Sequence, residues 1–209
     1  MQLIRDVGRT HGDRAVIKRS KVFPVAVVLA VASCGPQRPA ILAALAQAEK
    51  LTIQEGWGGL GCGSLVEYTL HRTPRGFEGN ATISITARSG QTVPGQMIPV
   101  IVPATQVGQF LQDLVTVPLS DGPYVPRFDH TDDYPSRRIV FDTPTGPVTY
   151  FSKSQGTDAN PWALQVPGRQ YVIPSGGPAK ALRGMSAALK TMETQATVDA
   201  MCRQAERRP

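Results

Sequence analysis

The densest group of side chains able to do chemistry is Asp129, His130, Asp132, Asp133 and Tyr134, within the segment RFDHTDDYPS. Carboxylates beside an imidazole can hold a divalent cation or serve as acid and base. The spacing lacks the glycine at the sixth position and the closing glutamate of a calcium loop. Asp and Thr ahead of Pro135 equally cap turns. A periplasmic hydrolase built here would use Asp129, His130 or Asp133 with Ser152 or Ser154 of FSKSQG as nucleophile, but no G-x-S-x-G elbow accompanies them. Trp162 joins the group as a possible aromatic recognition contact, since large aromatics concentrate at binding hot spots, although core packing is the commoner fate of a single Trp. The reading is therefore of a candidate surface site, Asp129, His130, Asp132, Asp133, Tyr134 and Trp162, with no catalytic residue, cofactor or metal assigned.

Two further patterns invite a chemical reading. Gly56, Gly58 and Gly61 form G-x-G-x-x-G within GWGGLGCG. A dinucleotide site needs a helix next, with the pyrophosphate at its N-terminus. The following segment, LVEYTLHR, alternates as a strand does, so the glycines read as a wide turn. His71 falls on the polar side of that strand. With His130 the only other histidine after residue 33, there is no Cys/His spacing for zinc.

The N-terminal segment carries a stronger signal. Lys18, Arg19 and Lys21 precede an apolar run from Val22 to Ala32, too short to span a bilayer as a helix. Basic residues, a short apolar stretch and small residues match a secretory signal. The run ends in Val31-Ala32-Ser33-Cys34, and here the chain resembles bacterial lipoproteins. Val31 occupies the aliphatic position of the lipobox, Ala32 and Ser33 the small positions, and Cys34 the thiol. The resemblance covers residues 18–35 only. It implies diacylglyceryl transfer to Cys34, cleavage before it and acylation of the new amino group. Two or more acyl chains anchor stably where one does not. Gly35 after the cysteine resembles the pattern of an outer-membrane destination, facing the periplasm, in a Gram-negative cell. With Cys34 lipidated, Cys62 and Cys202 remain, an even number in an oxidising compartment, and a disulfide between them is expected.

Charge agrees with export rather than nucleic-acid binding. The net charge is +6, with 22 Lys and Arg against 16 Asp and Glu. Six of the basic and two of the acidic residues lie in 1–33, so four of the six excess charges leave with that segment and only +2 remains.

The elements that must position these residues follow from periodicity. Residues 34–50 read as a tether with an Ala-rich helix over 40–50, and 51–209 as one domain. Alternation predicts strands over 51–55, 65–72, 81–87, 138–142, 148–153, 162–166 and 169–173. Apolar stripes predict helices over 103–117, 178–190 and 195–206. The expected class is α+β, an antiparallel sheet of about five to seven strands with two or three helices on one face. The expected role is a non-enzymatic binding, scaffold or inhibitor module, held to the membrane through Cys34 and meeting an envelope protein or a cell-wall partner.

Overall fold

The computed structural model describes residues 37–58, 62–125, 136–152 and 161–207. Four helices are present among them: α1 (Gln37–Ala46), α2 (Ala104–Thr116), α3 (Gly177–Gly184) and α4 (Thr191–Glu206). The strands are β1 (Lys50–Trp57), β2 (Gly63–Thr73), β3 (Gly76–Thr86), β4 (Thr92–Pro103), β5 (Ser120–Asp121), β6 (Ser136–Thr143), β7 (Gly146–Ser152), β8 (Trp162–Val166) and β9 (Arg169–Ile173). All nine join one antiparallel sheet in the order β4-β3-β2-β1-β6-β7-β8-β9-β5.

This corrects the expected class. The protein is mostly β, with four helices and a sheet larger than five to seven strands. The main strand that escaped the pattern is β4, TVPGQMIPVIVP, whose three prolines and one glycine read as loop. It survives as a strand because it lies at the sheet edge, where a proline can turn its nitrogen away from the neighbour. Pro99 and Pro103 pair with Asn80 and Gly76 of β3. By alternation, Met97, Pro99, Ile101 and Pro103 turn their backbone groups outward, and two of these four have no N–H to offer. That makes β4 a poor template for a further strand. The other edge, β5, is only two residues long. The expected helix over 178–190 ends at Gly184, and α4 begins at Thr191, four residues before its expected start.

The sheet is two-faced because its strands alternate. Leu51, Ile53, Val66, Tyr68, Leu70, Ala81, Ile83, Ile139, Phe141, Val148, Tyr150, Trp162, Leu164, Tyr171 and Ile173 are buried on one face. The helices cover that face. α2 contributes Val107, Phe110, Leu111 and Leu114, an i, i+3, i+4, i+7 stripe, and Phe110 meets Phe141 with ring centroids 6.1 Å apart. Ile41 and Leu45 of α1, Ala181 and Leu182 of α3, and Val198 and Met201 of α4 complete a single core. α1 lies against the strand ends at Thr145, Val148, Val166 and Pro167. Among the described residues, no helix is long and apolar enough to cross a membrane.

Cys62 and Cys202 form a disulfide, as expected from the cysteine count. It ties the segment between β1 and β2 to the last turns of α4, across 140 residues of chain.

Two polar atoms of the core have no hydrogen-bond partner among the described residues, the Tyr150 hydroxyl and the Trp162 indole N–H. Burial pushes the Tyr150 phenol pKa up, because no neighbour compensates the charged form. A buried polar group left unpaired costs about 1–3 kcal/mol. Tyr150→Phe is therefore expected to raise stability by roughly 1 kcal/mol in a urea titration. A loss of stability instead would mean that a water molecule bridges the hydroxyl.

Candidate ligand-binding hollow

Among the described residues, no helix covers the other face of the sheet. One cross-strand row runs over it from Met97 through Thr82, Glu67, Gln54, Arg138, Phe151, Ala163 and Val172 to Ser120. Side chains in such a row stand on the same side of the sheet. The β7 side of this face is not bare. Tyr124, from the segment following β5, sets its ring edge-on to Phe151, with centroids 5.4 Å apart.

A hollow of about 400 Å³ opens in this face near the middle of the sheet, large enough for a small ligand. Gly56 accounts for its depth. In the row next to the strand ends, Gly56 sits between Leu65 of β2 and Ser136 of β6. A Cβ at Gly56 would lie 2.9 Å from Ser136 Oγ and 3.8 Å from Leu65 Cδ1. The missing side chain is thus the gap between those two walls. Gln54, Arg138, Thr149, Phe151 and Gln165 line the rest, with Arg137 and Ser152 at its border.

The polar groups around the hollow divide into committed and uncommitted ones. Gln54 Nε2 donates to Glu67 Oε2 at 2.6 Å, and the Thr69 hydroxyl donates to Glu67 Oε1 at 3.4 Å, so that carboxylate is held from two sides. The Gln165 amide donates to the carbonyls of Val166 and Arg169. Arg138 has no acidic partner among the described residues. Thr149 is only 7% exposed, and its hydroxyl has no protein partner among them either. Phe151 pairs with Arg138 in register, so Thr149, two residues earlier on the same face, stands diagonally across from the guanidinium. A cation and a hydroxyl that have no partner among the described residues, near the apolar side chains of Leu65 and Phe151, can hold a small anion with an apolar body.

The opposite, helix-covered face has a cleft of about 360 Å³ at the same end of the strands, under α3 and α4. Arg137 Nε and Glu55 Oε1 pair there at 3.2 Å. Tyr68 lies beside them. Burial raises its phenol pKa, the Thr194 side-chain hydrogen bond works in the other direction, and the negative charge of Glu55 raises it further. These groups satisfy one another, which marks the cleft as a polar seam of the core rather than a site awaiting a ligand.

The residues singled out from the sequence fare unevenly. Asp129, His130, Asp132, Asp133, Tyr134 and Ser154 lie outside the described residues, as does Cys34. Trp162 is fully buried on the helix-covered face and belongs to the core, not to a recognition surface. Its alternation with Ala163 turns it inward, where it packs as the largest of the fully buried side chains. Ser152 is buried, and its hydroxyl donates to the Pro161 carbonyl at 3.3 Å, which ties up the group a hydrolase would need. His71 is exposed on the open face. Gly56 lies inside β1, paired with Leu65 and Ser136, and not in the wide turn expected of it; Gly61 lies outside the described residues, and the next described element is the strand β2, where a phosphate loop would need a helix. Among the described residues no three His, Cys, Asp or Glu side chains come together to hold a metal.

Gln54, Arg138, Thr149 and Phe151 were not singled out. Each sits on a strand recognised by alternation, but which strands adjoin decides whether they meet, and β1 pairs with β6 over a long separation in sequence. The one sequence signal was polarity at the positions facing away from the core.

No family model, curated protein or solved structure matches the chain.

Proposed function

We propose that the chain is a bacterial envelope lipoprotein, anchored through acylated Cys34, that binds a partner or ligand on the open face of its sheet. The observation that carries the anchor is the distribution of the three cysteines. Cys62 and Cys202 are bonded to each other, which suits an oxidising compartment. Cys34 stands apart from them at the end of the apolar run and the lipobox-like Val31-Ala32-Ser33.

Orientation supports the binding role. α1 is the first described element after the tether, and it packs at the strand ends that hold Thr145 and Pro167. The hollow lies at the opposite ends, beside Leu65 and Ser136. A chain tethered ahead of α1 thus presents the hollow away from its attachment, towards an envelope protein, a cell-wall component or a diffusing ligand.

Replacing the lipidated residue tests the anchor. Cys34→Ala is expected to leave the protein in the soluble fraction or as an unprocessed precursor, read by phase separation in detergent and by mass. Detergent partitioning with an unchanged mature mass would remove the anchor from the proposal.

A further inference from the structure

The hollow also has a chemistry that narrows what it can hold. Its cation, Arg138, is exposed and free of acidic partners among the described residues, although Glu67 lies only two strands away in the same row. Gln54 stands between the two and gives its amide N–H to Glu67, so the carboxylate is engaged on its own side. The Thr149 residue is largely buried, it lines the hollow, and its hydroxyl has no partner among the described residues, so it can donate to a ligand oxygen there. A guanidinium offers two parallel N–H donors matched to a planar carboxylate. Of the remaining lining, Leu65 and Phe151 are apolar, Ser136 adds one hydroxyl, and the amides of Gln54 and Gln165 are already given to Glu67 and to the Val166 and Arg169 carbonyls, which leaves few groups for an extended polar ligand.

We propose that the hollow binds an amphiphilic monocarboxylate, with the carboxylate bridging Arg138 and Thr149 and the apolar chain lying over Gly56 between Leu65 and Phe151. This deepens the reading of the open face as a binding surface and rests on it. Arg137 also borders the hollow but is paired with Glu55, so Arg138 alone offers its charge to a ligand, which favours a monocarboxylate over a polyanion. The volume of about 400 Å³ admits a medium-length chain rather than a long one.

Titration calorimetry with decanoate tests this, using full-length protein carrying Cys34→Ala in detergent-free buffer. Decanoate is expected to bind saturably below about 1 mM, within the range set for weak specific ligands. Decanol, which lacks the charge, and acetate, which lacks the chain, are each expected to bind at least about 10-fold more weakly, as loss of a charge-assisted hydrogen bond or of apolar contact implies. Arg138→Gln should weaken decanoate by a similar factor. Gly56→Val should abolish binding by filling the hollow. Arg203→Gln, exposed on α4, should change nothing. Circular dichroism melting checks that each variant is folded, and the Arg138 change, at an exposed position, is the decisive arm. Equal affinity for decanol, or decanoate binding indifferent to Arg138→Gln, would overturn the proposal, as would no saturable binding of decanoate. None of these results touches the anchor, which the membrane partitioning of Cys34→Ala decides separately.

Discussion

Removing the Cys62–Cys202 bond, by Cys62→Ala with Cys202→Ala, is expected to lower the melting temperature by roughly 10–20 °C. The bond closes a loop of 140 residues. In the chain-entropy argument, a loop of that length restricts the unfolded state by about 5 kcal/mol. In a domain of 150–250 residues, each kcal/mol moves the midpoint by about 2–4 °C. Both sulfurs are partly buried against the core, so alanine is the milder replacement. The consequence should be local as well as global. α4 packs on β3 and β4 through Val198, Met201 and Ala205, and the bond fastens its last turns. Hydrogen exchange should therefore accelerate first in α4. Scanning calorimetry of the double variant gives the main result, and a midpoint within about 3 °C of the parent, the effect of only about 1 kcal/mol, would mean that the bond contributes little.

Trp162→Ala is expected to cost about 3–5 kcal/mol, the range for emptying a large aromatic site in a core. The side chain is fully buried beside Ile173 in register, with no exposed surface to lose. Its indole N–H has no partner among the described residues, so the substitution removes packing without breaking a hydrogen bond. Trp162→Phe should cost distinctly less, since the ring is kept and the unpaired N–H is gone. Urea unfolding followed by circular dichroism measures both. If Trp162→Ala left stability intact and changed only ligand or partner binding, the residue would be a surface contact after all.

Much of the fold could be read from alternation. β1, β2, β3, β6 and β9 show a two-residue period, because one face of each meets the core and the other solvent or loop, whereas β7 and β8, each with three successive buried residues, were legible from the turns at Thr143–Gly146 and Pro167-Gly168. α2 was legible for the corresponding reason at the helical period. β4 was not, because its prolines and glycine suppress the local signal while an edge position tolerates them. The hollow was hidden for a different reason. It depends on register: Gly56 creates a gap only because Leu65 and Ser136 flank it, and Arg138 and Thr149 become diagonal neighbours only because β6 and β7 pair as they do. Sequence patterns state which way a side chain faces and leave open which chain segment it faces. The disulfide was legible because counting cysteines, unlike register, needs no knowledge of neighbours.

The pairing of β1 with β6 has a kinetic consequence. β1 to β4 form one run of hairpins and β6 to β9 another, each closed by local contacts. The seam between them joins Lys50 to Asp142 and Gly56 to Ser136, so it cannot form until α2 and the chain after it have been made. Non-local pairing of this kind slows folding, because loop closure must precede the contacts that reward it. Until the seam closes, β1 and β6 each present a bare central edge, lacking the prolines that blunt β4 and the shortness that blunts β5. The interval before closure is when a newly made chain is most exposed to pairing with another copy of itself.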